Sequence, residues 1–119
     1  MWLKLDSYAH GYINLGQIIA LVFDKTGTSV AFRRSENGKV VEAGSTDDQG
    51  AVKAANKLVQ KWAQLATPGG RYCIDLNKCS KIEFVAADEK VVIYLPGSDE
   101  PAFRFREKEV VRAIRQLMF

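Results

Sequence analysis

Apolar and polar positions alternate along most of the chain, and only two stretches change to a spacing of three and four. The N-terminal run Met1-Trp2-Leu3-Lys4-Leu5-Asp6 alternates and carries charge early, so it reads as a strand. Ile18 to Phe23 is almost continuously apolar, which predicts a strand covered on both faces. Strands over Ser29 to Arg34 and Lys39 to Ala43 follow, joined at Asn37-Gly38, a pair that tolerates the positive φ of a tight hairpin. Ser45 or Thr46 is the expected cap of a first helix, with Asp47 and Asp48 in its opening turn. Val52, Ala55, Leu58, Val59, Trp62 and Leu65 form its apolar face, and Thr67-Pro68-Gly69-Gly70 ends it. Strands over Ser80 to Ala86, Val91 to Leu95 and Ala102 to Arg106 come next. A second helix then opens near Glu107, buries Val110, Val111, Ile114, Leu117 and Met118, and runs to Phe119.

This order of elements suggests a repeat. Ile13 to Phe23 can be laid over Ile74 to Phe84 at an offset of 61 residues, and Val30 over Val91 at the same offset. Ile13/Ile74, Leu15/Leu76, Phe23/Phe84 and Val30/Val91 are identical, and each half closes on a helix. Asn14-Leu15-Gly16 and Asp75-Leu76-Asn77 break the first strand of each half, because an Asx side chain bonds nearby backbone and turns the chain. The reading is therefore α+β: two tandem strand-strand-strand-helix repeats, antiparallel sheets packed with two amphipathic helices. It takes residues 1–119 as a single domain, with repeat 1 about 1–66 and repeat 2 about 70–119. One sheet face per unit is poorly covered by one helix, so one shared core is expected.

Composition narrows the class without naming a function. At 119 residues, 47% hydrophobic and 26% charged, the chain is an ordinary globular one. No apolar run approaches the roughly 18 residues of a membrane span, and nothing resembles a signal peptide, so a cytoplasmic address and no membrane partner are expected. Cys73 and Cys79 read as two small buried hydrophobes and not as a disulfide framework or zinc site. A net charge of +3 is far from that of a DNA-coating protein.

Candidate chemistry is sparse. The one histidine, His10, falls in a loop with no nucleophile placed beside it, and no phosphate-binding glycine motif is present. Asp47-Asp48, Asp88-Glu89 and Asp99-Glu100 sit at a helix start or loop tips. The chain is expected to be no enzyme and to need no cofactor or metal. Its cations are better organised. Lys53, Lys57 and Lys61 line one helical stripe; Arg33-Arg34 and Arg104-Phe105-Arg106 place cations beside aromatics on strands. With Tyr94, Tyr72 and Trp2 nearby, such a sheet face could stack bases and track phosphates. The candidate nucleic-acid-binding residues are Arg33, Arg34, Arg104, Arg106, Lys53, Lys57, Lys61 and Tyr94. The alternative is a solvated face on a protein-interaction or self-assembly module, with a protein partner or a second copy in place of single-stranded nucleic acid.

In element order over nearly the whole chain, these two strand-rich halves resemble single-stranded nucleic-acid-binding regulators of the whirly and PUR-alpha kind. The whirly lysine-glycine-lysine-alanine run is absent. In its Trp2-x-Lys4-Leu5 start and Tyr12-Ile13-Asn14-Leu15 strand, the chain resembles short bacterial proteins, cyanobacterial ones especially, which implies no activity. Asp75-Leu76, Ile82-Glu83 and the helix from Glu107 resemble small flagellar regulators of the FlbD type, which implies a protein partner.

Overall fold

A computed structural model describes residues 2–5, 11–85 and 89–118. His10, Asp88 and Phe119 lie outside the described residues. The architecture is α+β, with ten strands in antiparallel sheets and two helices among the described residues. Strands β1 (Trp2–Lys4) and β2 (Tyr12–Asn14) form a ribbon. Asn14 ends β2 as expected: its side chain accepts the Gly16 N–H at 3.0 Å and starts a 3-10 turn, Leu15–Gln17. β3 (Ile18–Phe23), β4 (Val30–Glu36) and β5 (Lys39–Thr46) follow as a meander. The hairpin at Asn37 and Gly38 has φ of 53° and 79°. A Cβ on Gly38 would also sit 2.5 Å from that of Ser98, so the neighbour as well as the turn demands glycine.

The first helix is shorter than its apolar spacing suggests. α1 spans Gln49–Leu58, and Asp48 is its N-cap, accepting the Ala51 N–H at 3.0 Å. Ser45 and Thr46 belong to β5 instead; the Thr46 hydroxyl accepts the Asp48 N–H at 3.1 Å. Gln64 donates to the carbonyls of Val59, at 2.7 Å, and Trp62, satisfying backbone acceptors just past the helix. Residues from Ala63 onward alternate buried and exposed as β6 (Ala63–Thr67), which turns through Pro68-Gly69 into β7 (Gly70–Ile74). Leu65 satisfies a helical period and a strand period alike; burial in the sheet decides between them. Gly70, at φ 141°, brings its backbone against Phe23, whose carbonyl oxygen would lie 2.2 Å from a Cβ there.

Asp75 repeats the Asn14 device, accepting the Asn77 N–H at 3.2 Å to start a second 3-10 turn, Leu76–Lys78. β8 (Lys81–Val85), β9 (Lys90–Tyr94), β10 (Phe103–Phe105) and α2 (Lys108–Met118) complete the chain. Val110, Val111 and Ile114 of α2 are buried, but Leu117 and Met118 are exposed, because the helix outruns the sheet surface beneath it. The succession of strand, 3-10 turn, three strands and helix recurs in the two halves. So does the pairing within each half, a two-stranded hairpin and then a three-stranded meander; the β3–β7 pairing has no counterpart. The sheets run β1-β2, β5-β4-β3-β7-β6 and β10-β9-β8, so β3 joins the second half while β8 pairs with β9 alone among the described residues. Ile13 pairs with Leu3 in the ribbon; Ile74 lies between Ala20 and Ala63 in the five-stranded sheet.

Two apolar clusters replace the single shared core expected from sequence. One gathers Leu3, Ile13, Leu15, Leu21, Phe23, Phe32, Val52, Ala55 and Val59. The other gathers Ile19, Ala20, Leu65, Ile74, Val91, Ile93, Phe103, Phe105, Val110 and Ile114. Strand alternation sends Leu21 and Phe23 to one face of the central sheet and Ala20 to the other. A bulge at Ile18–Ala20 adds Ile19 to the second face. The ribbon and α1 thus cover one face, and the three-stranded sheet with α2 covers the other. β3 is buried on both sides, as its apolar run implies. No helix of the described residues is long and apolar enough to cross a membrane.

Candidate nucleic-acid interface

The sheet arginines do not converge. Arg33 lies in β4 between Ala20 and Glu42, on the α2 side, with its Nε buried and without a hydrogen-bond partner. Arg34, the next residue, points to the other face and makes an ion pair with Glu36 at 3.6 Å. Arg104 is exposed on β10 opposite Val92, which in turn faces Glu83; Arg106 is exposed just beyond. Phe103 and Phe105 point inward, so the alternation read from sequence holds for this strand. Tyr94 is already engaged. The Lys81 ammonium stands 4.4 Å from its ring centre, its hydroxyl is 3.5 Å from Glu83, and Lys81 pairs with Glu83 at 3.7 Å. A base stacking on that ring face must displace a lysine. Tyr72 packs edge-on against Phe105 at 5.4 Å and faces the core.

The helix lysines are better placed. Lys53 and Lys57 are exposed on α1, while Lys61 is exposed in the turn after it and does not continue the helical stripe. From Gln49 to Ile74 the chain carries Lys53, Lys57, Lys61 and Arg71 and no acidic residue. α1 packs beside β1. In the ribbon, Leu3 and Ile13 pair inward, so Trp2, Lys4, Tyr12 and Asn14 face out. Trp2 is 66% exposed and Tyr12 57%, on one ribbon face and diagonal to each other across the strands. Of these aromatics only Trp2 stood out in the sequence; Tyr12 is recognisable once Leu3 is known to face Ile13.

Lys78 closes the same layer. Its ammonium donates to the carbonyls of Gly16 and Ile18, both at 2.8 Å, and of Leu15 at 3.3 Å. It also stands 3.8 Å from Asp75 and 5.8 Å from the ring centre of Trp62, which is half-buried in the turn after α1. Of the two free thiols, Cys73 is fully buried and Cys79 half-buried. Burial, and secondarily Asp75, pushes the Cys79 thiol up to about 11. Burial raises Cys73 as well, against the opposing pull of Arg71. Neither thiol has thiolate character at neutral pH. No cluster of metal-ligating side chains occurs among the described residues.

Comparison of the chain with protein families, with curated proteins and with solved structures finds no match.

Proposed function

We propose that this chain is a non-catalytic module that binds single-stranded nucleic acid weakly, through the layer formed by the β1–β2 ribbon and α1. The observation that carries the reading is the pair Trp2 and Tyr12, two aromatic rings left largely in water on one ribbon face. Aromatics on such a face stack bases at about 1–3 kcal/mol per base, with little preference for sequence. The acid-free run of Lys53, Lys57 and Lys61 on the adjoining element supplies charge for the phosphates. Arg104, Arg106 and Tyr94 stand in the opposite layer and are left out of this surface. The recurrent element order supports a tandem duplication as the origin of the two halves, in keeping with the likeness to whirly and PUR-alpha proteins.

The test is titration of a fluorescent single-stranded oligonucleotide at several salt concentrations. Trp2→Ala should weaken binding about 5- to 100-fold, the loss of one stacked base. Lys53→Ala with Lys57→Ala should flatten the salt dependence by roughly 1.4, at about 0.7 per phosphate contact, while Arg104→Ala should leave it unchanged. No binding at low salt defeats the reading. It would favour a self-assembly or protein-binding module, for which Leu117 and Met118, 56% and 43% exposed at the end of α2, offer an apolar contact.

A further inference from the structure

We propose that the cleft between α1 and the loop after β3 binds a phosphate group. The cleft encloses about 470 Å³, and its walls include Phe23, Gly27, Gln49, Lys53, Asn56 and Arg71. Arg71 stands opposite Phe23 in the sheet, with its guanidinium carbon 4.4 Å from the ring centre. Nη1 donates to Gln64 Oε1 and towards Cys73 Sγ at 3.5 Å, and Nη2 donates to Asn56 Oδ1. These contacts hold the guanidinium plane in place, and every one of them is to a neutral group. Burial keeps the Cys73 thiol protonated, so it supplies no counter-charge.

A guanidinium has five N–H donors. The contacts above occupy Nη1 and one N–H of Nη2. None of them uses Nε–H, and the edge it shares with Nη2 is the one with which arginine grips an oxyanion in bidentate fashion. Asp75, four residues on, pairs with Lys78, and Asp24, which follows Phe23, is committed elsewhere. Its carboxylate accepts the Thr28 and Ser29 N–H groups at 2.7 and 3.1 Å, and the Thr26 and Thr28 hydroxyls at 3.1 and 2.9 Å. Those bonds fold the loop that carries Gly27 to the cleft wall. No ion pair joins Asp24 to Arg71 among the described residues. A half-buried cation fixed by neutral partners, with a second cation, Lys53, on the same wall, is a site for an anion of phosphate shape and charge.

The phosphate could be free, terminal on a strand or internal to its backbone; only the last two rest on the interface proposed above. The experiment titrates the full chain with inorganic phosphate by NMR. It then compares 5′-phosphorylated and 5′-hydroxyl oligonucleotides of one sequence. Phosphate should shift the Gly27 amide and the Arg71 side-chain resonances with a Kd on the order of 1–10 mM. Arg71→Gln should abolish those shifts. Lys53→Ala, an exposed change that leaves folding alone, should weaken binding about threefold or more. Tighter binding of the 5′-phosphorylated strand assigns the cleft to a terminal phosphate. Equal binding of both strands, with competition by free phosphate, assigns it to the backbone. No shift up to roughly 50 mM phosphate, or equal shifts in the wild type and Lys53→Ala, overturns the site. Phosphate binding without oligonucleotide binding keeps the cleft and removes the interface; oligonucleotide binding that ignores both free phosphate and Arg71→Gln does the reverse.

Discussion

Replacing Lys78 by methionine should destabilise the chain by about 2–3 kcal/mol, a large loss for a lysine. The side chain belongs to the 3-10 turn after β7, and its ammonium fills the concave side of the equivalent turn after β2. Three carbonyl oxygens, of Leu15, Gly16 and Ile18, accept from it at 2.8 to 3.3 Å. Hydrogen bonds to a charged group contribute about 1.5–3 kcal/mol each. They do not add here, because the Gly16 carbonyl is exposed and takes a water once the ammonium is gone. The Leu15 and Ile18 carbonyls are part-buried and are left without that donor. The ion pair with Asp75, at 3.8 Å and partly open to water, adds less than about 1 kcal/mol, and the distant Trp62 ring adds less again. Methionine keeps the aliphatic stem, so the difference isolates the charge and its bonds.

Urea unfolding followed by tryptophan fluorescence measures the effect. With a slope of roughly 1–3 kcal/mol per molar urea, the midpoint should fall by about 0.7–3 M. Lys57→Met on the exposed face of α1 is the control, with an expected change within about 0.5 kcal/mol. If the two variants unfold at the same midpoint, Lys78 does not fasten the halves together, and the reasoning from its three carbonyls is wrong.

Other consequences follow from single contacts. Arg33→Met should hold or raise stability by up to about 1 kcal/mol, because it removes a buried N–H without a partner; a loss beyond about 1 kcal/mol in chemical denaturation rules this out. Gly70→Ala should leave no folded protein by circular dichroism, since its Cβ would lie 2.2 Å from the Phe23 carbonyl oxygen, whereas Gly44→Ala meets nothing and should fold. Bonds from the Thr28 hydroxyl first, and from the Ser29 and Thr28 amides, hold the Asp24 carboxyl at about 2 against a usual 3.8. Its folded value is depressed, so the stability it lends is complete above about pH 4 and fades as pH falls towards 2. An NMR titration with its midpoint at the usual value would show that the loop does not hold its carboxylate.

Local chemistry made much of the fold legible. Asn14 and Asp75 stop strands with their own side chains, and Asn37-Gly38 adopts the positive φ pair that few other residues accept. The unbroken apolar run of β3 announced a strand with two covered faces, and Phe103, Arg104 and Phe105 alternate as written. The failures share a cause: each needed a partner distant in sequence. Leu65 fits a helix until β7 claims β6, and Leu117 and Met118 fit a helix face until that face runs out of sheet. Nothing in β3 or β7 names the other as its neighbour, yet that one pairing divides the apolar residues into two clusters.

The same limit governs the site. A cation's type and spacing are visible in the sequence, but its surroundings are set by the residues opposite it. Tyr94 looks like a stacking residue until β8 brings Lys81 over its ring. Arg33 and Arg34 look like a pair until alternation sends them to opposite faces and Glu36 takes the second. Arg71 carries no signal at all, since it gains its cleft only because β7 sets it against Phe23 and α1 brings up Asn56. Lys53 and Lys57 were readable because a helix surface is a local property: the spacing that buries Val52 and Ala55 exposes them. Residues whose exposure is decided within one element can thus be read from the chain, and those whose role depends on a cross-strand neighbour cannot. By that rule Trp2 and Tyr12 fall between the two cases. The alternation of β1 and β2 makes each an outward residue, but only the pairing of Leu3 with Ile13 puts both rings on the same face.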